Sequence, residues 1–177
     1  MSAPSAKMLV STRGKSACVR ICGRANFTSS IDFKTLLNEL LNKGFARFVL
    51  DLRECALMDS TFLGVLAGFG LRLNGPQPDS VERRIELYQP NARITDLLEN
   101  LGVLHLFHLT QDITGFPDGA PGQEPVPAAN PSREEVTRNC LEAHQTLMNV
   151  NPDNVARFKD VAAFLAEDLK RIKTAEN

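Results

Sequence analysis

The sequence is poor in residues that would point to a specialised chemistry or environment. It contains no tryptophan, one tyrosine and four cysteines, and it has no C-x-x-C pair of the kind that binds zinc or carries redox chemistry. Cys18 and Cys22 fall on one predicted strand, where they would lie about 13 Å apart and beyond disulfide reach. We therefore expect four reduced, structural thiols, and we expect neither a metal nor a cofactor.

Neither charge nor hydrophobicity is concentrated in one part of the chain. Lys and Arg number 20 against 21 Asp and Glu, which gives a net charge of −1 and no basic surface for nucleic acid. The longest apolar-rich run, residues 60–71, is too short to span a bilayer. The first ten residues lack the apolar core of a secretory signal. These absences favour a cytoplasmic protein that binds neither nucleic acid nor a membrane.

A segment rich in proline and glycine divides the chain. Residues 114–131 hold five of the ten prolines and three glycines, a composition that predicts an extended linker without helix or strand. The sequence therefore predicts a domain at residues 1–113, a linker at residues 114–131, and a C-terminal extension at residues 132–177.

Strand-like and helix-like patterns alternate in the first segment. Strands are predicted at residues 16–22, 46–52, 84–90 and 104–109, with a weaker one at 8–12, and helices at residues 29–44, 60–73 and 91–102. Ser29 and Asp32 resemble a capping box for the first helix. The run at 46–52 is almost entirely apolar, as in a central strand that is covered on both faces. This order predicts an α/β fold, with helices packed on a mostly parallel or mixed sheet.

The C-terminal extension is predicted to form two helices. Ser132 and Glu135 fit a capping box, and Asn151 with Pro152 fits the start of a second helix. Apolar residues then recur at spacings of three and four, which predicts a seam that packs on another helix: Val155, Phe158, Ala162, Leu165, Leu169 and Ile172. Two interpretations stay open: a hairpin packed on itself or on the domain, and an element for homodimerisation or partner binding.

The triplet Asp59-Ser60-Thr61 stands between a strand-like run and a helical run. A catalytic serine at such a turn is typically found in G-x-S-x-G, and here Phe62 stands where the second glycine would be. Each residue of the triplet is a good helix N-cap, worth about 1 kcal/mol. Capping explains one polar residue and leaves the other two without a reason.

Phosphorylation is the third interpretation of the triplet. A phosphate would add about −1.5 to −2 charges at the start of a helix, where the helix dipole tolerates negative charge. A partner docked over the same hydroxyl would be repelled. Gly64, Gly68 and Gly70 follow in the same helix, each costing about 1 kcal/mol relative to alanine, which favours close approach of the sheet or of a partner. Such a site would switch binding off and leave the fold intact.

The stretch FVLDLRECALMDSTFLGVL, at residues 48–66, resembles the signature of the STAS domain of bacterial anti-sigma factor antagonists. In that signature a buried strand ends in Asp/Asn-Leu, and Met-Asp-Ser-Ser/Thr-Gly-Leu-Gly opens a helix after a short loop. The resemblance extends through the element order of residues 7–112. It does not cover the linker or the C-terminal extension.

The resemblance implies a binding module and not an enzyme. In such proteins the unmodified form binds an ATP-dependent anti-sigma factor kinase and frees the sigma factor that the kinase held. The kinase phosphorylates the serine after the motif aspartate, and a serine phosphatase restores it, in a pathway that regulates transcription. Carried over to this chain, the roles are phosphoacceptor for Ser60, support for Asp59, neighbouring hydroxyl for Thr61, and docking helix for Leu63 and Gly64.

One residue departs from the family pattern, since Phe62 replaces the glycine after the second hydroxyl residue. A large aromatic there could fill a pocket in a partner or obstruct the kinase. The first alternative function is a STAS scaffold or assembly subunit, in a signalling complex or as the soluble part of a transport complex, with Ser60 only as a cap. A nucleotide-binding or hydrolytic α/β protein is a weaker alternative because no P-loop or G-x-G-x-x-G fingerprint is present.

Overall fold

The computed structural model describes residues 5–111, 113, 116 and 124–177. The strands in this part of the chain are β1 (Lys7–Arg13), β2 (Ser16–Ala25), β3 (Arg47–Asp51), β4 (Cys55–Met58), β5 (Arg84–Tyr88), β6 (His108–Thr110) and β7 (Glu124–Pro125). The helices are α1 (Phe27–Asn42), α2 (Ser60–Asn74), α3 (Ala92–Asn100), α4 (Arg133–Val150) and α5 (Asp153–Ala175). None of these helices combines the length and apolar character needed to cross a bilayer.

The strands form one mixed sheet in the order β6-β5-β3-β2-β1-β7, with β4 paired to the end of β2. The central strands β2, β3, β5 and β6 run parallel, whereas β1 forms an antiparallel hairpin with β2 and β7 is antiparallel to β1. Helices join the parallel strands, as a parallel connection requires. The predicted α/β class, with a mixed sheet and helices packed on it, is confirmed.

Several strand predictions are corrected. The weak strand expected at residues 8–12 is the seven-residue β1 at Lys7–Arg13. Residues 104–109 do not form one strand, because Leu104–Leu106 make a 3-10 turn and only His108–Thr110 pair with β5. The short strand β4 was not predicted. The expectation that the proline-rich linker holds no strand is wrong at Glu124–Pro125, where β7 occupies the edge of the sheet, a position that tolerates proline.

Helix boundaries depend on side chains that bond to unpaired backbone N–H groups. Helix α1 begins earlier than predicted, because the Asn26 side chain accepts from the Ser29 N–H and the Ser29 hydroxyl accepts from the Asn26 N–H. Ser29 is therefore the third residue of the helix and not its cap. The predicted capping box of α4 is present between Ser132 and Glu135.

The sheet is apolar on one face and charged on the other. The face toward α1 and α2 carries the main core, which includes Ala17, Val19, Ile21, Phe48, Leu50, Ile85 and Leu87. On the opposite face a small cluster of Cys18, Val49, Tyr88 and Phe116 lies among charged side chains. The prediction of a central strand that is covered on both faces is confirmed, since β3 lies inside the sheet and its residues 48–51 are all buried, although the second face buries the charged Asp51 beside Val49.

Asp51 is the most buried charge on the second face. Its carboxylate accepts hydrogen bonds from Arg20 Nε at 3.2 Å and from Arg53 Nη2 at 2.8 Å. Burial by itself would raise the pKa of Asp51, but the hydrogen bonds and charge of Arg53 and the charge of Arg20 outweigh it and hold the pKa below its ordinary value. Asp51 therefore stabilises the fold in its charged form.

We expect Asp51→Asn to lower the free energy of unfolding by about 1–3 kcal/mol, since a buried, hydrogen-bonded charge is lost beside two arginines. Because the pKa is lower in the folded state, the difference from wild type should be full above about pH 5 and should shrink as the pH falls below the ordinary pKa of 3.8. Urea denaturation at several pH values measures both. A difference that grows toward acid pH would contradict the assignment.

Candidate functional site

Asp59 joins the first turns of two helices. Its side chain caps α2 by accepting from the Phe62 N–H at 2.8 Å, and its second carboxylate oxygen accepts from the Phe27 N–H of α1 at 2.7 Å. Its own N–H donates to the Ala25 carbonyl at the end of β2. Asp59 is thus the cap that the sequence left undecided within the triplet, and it fixes where Ser60 lies relative to the sheet.

Ser60 is the first residue of α2 and is half-buried. Its Oγ lies 2.9 Å from Nε2 of His144 on α4. Nδ1 of the same ring lies 2.6 Å from the Cys140 carbonyl, which can only accept. In the neutral ring Nδ1 therefore carries the hydrogen, Nε2 accepts, and the Ser60 hydroxyl donates. The hydroxyl is covered in part by the C-terminal helices but is not sealed in the core.

Two further contacts join α4 to the start of α1 and α2. The Thr61 side chain is buried and lies next to the Cys140 thiol, whose pKa is raised by burial. The Asn139 amide donates to the Ser30 hydroxyl at 2.9 Å, and its side-chain oxygen is buried without a partner within the described residues. The two hydroxyls of the triplet thus both meet α4.

The glycines of α2 have different neighbours. A Cβ on Gly64 would lie 2.8 Å from Cβ of Ala143 and still closer to the Ala143 carbonyl, so only glycine admits α4 at this distance. A Cβ on Gly70 would lie 2.9 Å from Leu106 on the sheet side. At Gly68 the nearest atom is Cγ2 of Thr146 at 3.9 Å, an ordinary contact. Close approach therefore explains Gly64 and Gly70 but not Gly68.

Two of the predicted partner-binding residues lie in the core. Phe62 is fully buried, with its ring centroid 4.9 Å from that of Phe33 on α1, and Leu63 is 1 % exposed. The Phe62 side chain is therefore not accessible to a partner in this structure, because its ring packs in the core against α1. Gly64 faces outward, but α4 covers it. Only Asp59 and Ser60 of the predicted site are half-exposed.

The second hairpin helix, α5, supports the histidine from behind. The Phe158 ring of α5 lies 5.2 Å from the His144 ring, and the buried Asn154 amide donates to the Leu101 carbonyl of the domain at 2.9 Å. The predicted seam packs on α4, with Ala162 and Ile172 buried, except at its first residue, Val155, which is exposed. The hairpin therefore packs both on itself and on the domain, which was one of the two open interpretations.

His144 is the site residue that sequence reasoning missed. It lies 84 residues from Ser60, and its neighbours in sequence carry no recognised motif. The histidines nearer the motif, His105 and His108, are exposed. The spacing of Asn139, Ala143 and His144 places them on one face of a helix and indicates that this face packs, but it does not indicate which surface the face packs on. Within the described residues there is no group of three or more potential metal ligands.

The fold matches that of known solved structures. The chain is similar to a proposed anti-sigma factor antagonist from Thermotoga maritima, at 19% identity and a TM-score of 0.51 over 59% of this chain and 86% of that one. It is also similar to the anti-sigma factor antagonist SpoIIAA in its unphosphorylated form, at 14% identity and a TM-score of 0.48 over 60% and 88%. No family model and no curated protein matches the chain. The chain therefore has the STAS-like fold that its motif predicted.

We expect Phe62→Ala to lower the free energy of unfolding by about 3–5 kcal/mol, because it leaves a cavity beside Phe33. Phe62→Leu keeps most of the volume and should cost clearly less. Urea denaturation measures both variants. A loss under about 1 kcal/mol for Phe62→Ala would show that the ring is not packed in the core as described.

Proposed function

We propose that this chain is a binding module of the anti-sigma factor antagonist type, switched by phosphorylation of Ser60, and not an enzyme. Its unmodified form would sequester an anti-sigma factor kinase in a cytoplasmic partner-switching pathway that regulates bacterial transcription. The observation that carries the proposal is the position of Ser60. It is a half-exposed hydroxyl on the first residue of α2, directly after the capping Asp59, in a chain with a STAS-like fold.

The local geometry is compatible with a phosphate on Ser60. The first turn of α2 directs unpaired backbone N–H groups and the positive end of the helix dipole toward this position. Asp59 uses both of its carboxylate oxygens on backbone N–H groups, so it is held in place for structural reasons. In the modification, the γ-phosphoryl group of ATP passes to Ser60 Oγ, ADP leaves, and a base of the kinase takes the hydroxyl proton.

We expect wild type to gain one phosphate when incubated with ATP and the anti-sigma factor kinase encoded beside its gene or in its genome. Intact mass measures the gain. Ser60→Ala should gain none, and Thr61→Ser, which keeps the neighbouring hydroxyl, should gain one as wild type does. A serine phosphatase from the same pathway should remove it. If no kinase of this class from the genome adds a phosphate to wild type, the proposed switch is contradicted.

A scaffold function without phosphorylation is the second candidate, as a STAS assembly subunit of a signalling complex or of a transport complex. The observation that favours it is the bond between Ser60 and His144, which engages the hydroxyl within the chain. In that case neither wild type nor Ser60→Ala would gain a phosphate, and a kinase with ATP would not weaken partner binding by wild type. The same variants therefore separate the two candidates.

Homodimerisation through the C-terminal helices is the alternative to a hairpin that packs within one chain. The predicted seam of α5 is used on α4 within one chain, so a dimer through that seam would need exchanged hairpins. We therefore expect light scattering to give the mass of one chain, 19.5 kDa, at micromolar concentration. Twice that mass would instead support a homodimer built by exchange.

A further inference from the structure

The pair formed by Ser60 and His144 has a geometry that the proposed switch does not use. The Ser60 hydroxyl donates to Nε2 of His144 across 2.9 Å. A serine hydroxyl that is hydrogen-bonded to a neutral imidazole can lose its proton to the ring as its oxygen attacks an electrophile. The two residues are 84 positions apart in the sequence, so the pair is a product of the fold and not of a local motif.

The histidine ring is held in the tautomer and orientation that a base needs. Its Nδ1 lies 2.6 Å from the Cys140 carbonyl, so the ring hydrogen is on Nδ1 and the lone pair of Nε2 points to Ser60. Phe158 packs beside the ring, and His144 is 6 % exposed. A nucleophile, a base within hydrogen-bond reach and a third group that orients the base together define an activated serine.

The first turn of α2 supplies hydrogen-bond donors beside the Ser60 oxygen. The first four N–H groups of a helix have no intrahelical partner. Here the Asp59 N–H donates to the Ala25 carbonyl, and the Phe62 N–H donates to the Asp59 carboxylate. The N–H groups of Ser60 and Thr61 have no acceptor among the described residues. In acyl transfer, such donors stabilise the negative charge that develops on the carbonyl oxygen, and the N–H after the nucleophile is a usual one.

The surroundings of Ser60 decide the size of the group that it can take. Ser60 is half-buried, so its oxygen can be reached from solvent only by a small reagent. A cleft of about 220 Å³ lies along α2, but it is lined from Gly64 onward and does not include Ser60. The pair therefore suits a small electrophile whose reactivity resides in its leaving group, and not a large substrate that must be held in a pocket.

We propose that Ser60 is an activated nucleophile that takes the acyl group of a small activated acyl donor, with His144 as the general base. Ser60 Oγ attacks the carbonyl carbon, and its proton passes to Nε2 of His144. The bond between the carbonyl carbon and the leaving group then breaks, the leaving group takes the proton from His144, and an ester remains on Ser60. One acyl group is added per chain, on the same oxygen that phosphorylation would use, so the ester blocks phosphorylation.

Acetylation of the full chain by p-nitrophenyl acetate tests the nucleophile. Wild type should release p-nitrophenolate and gain an acetyl group that peptide mass mapping places on Ser60. Ser132 is the internal control, because it is an exposed serine at the N-cap of α4 whose hydroxyl bonds the Glu135 N–H and not a histidine. Ser132 should react at least about tenfold more slowly. Acetylation of Ser60 no faster than that of Ser132 would overturn the proposal.

Two measurements test the base. His144→Gln can still accept from the Ser60 hydroxyl but cannot take up its proton, so acetylation of Ser60 should slow at least about tenfold, with urea denaturation to show that the variant is folded. In wild type, which needs no substitution, acetylation of Ser60 should be slower in heavy water because the serine proton moves during the attack. Equal rates in wild type and folded His144→Gln, or in the two solvents, would overturn the general base.

The acylation and the proposed function can fail separately. Neither measurement involves a kinase, so a chain that no kinase modifies would refute only the proposed function. A chain that a kinase phosphorylates on Ser60, but that p-nitrophenyl acetate does not acetylate there, would refute only the activated nucleophile.

Discussion

The close approach of two helices at Gly64 is the constraint on which the rest of the site depends. Because a Cβ on Gly64 would overlap Ala143, the lack of a side chain at this position lets α4 lie directly against α2. That packing brings His144 to Ser60 and Cys140 to Thr61. A polar triplet that would otherwise face solvent becomes part of an interface between the domain and its own C-terminal hairpin.

The two faces of the sheet are stabilised by different interactions. The apolar face packs on α1 and α2 and places Phe62 and Leu63 in the core, so the motif helix is held rigidly from below. The opposite face relies on ion pairs around Asp51 and Glu86. The pKa of Glu86, like that of Asp51, is lowered because arginine contacts outweigh its burial. Changes at the outer surface of α2 can therefore occur without disturbing either face.

Much of the fold could be predicted because its signals are local. Apolar periodicity indicated the main helices and three central strands, and the capping residues at 132–135 marked the start of α4. The predictions failed where the structure of a segment depends on whether it pairs with a neighbouring β-strand. Residues 104–109 have strand-like composition, yet only the last of them reach β5, and two residues of a proline-rich segment became β7 because an edge was open beside β1.

The sequence by itself determined the α/β order of the domain, the Asp-Ser-Thr junction at the start of α2, and two C-terminal helices with a seam. Those features depend on residue type and spacing within a few turns of chain. The tertiary structure alone decided that Phe62 packs inward, that α4 docks on Gly64, and that His144 bonds Ser60. The reason is physical: contacts between residues 84 apart leave no trace in local periodicity, and only packing selects which surface a helix covers.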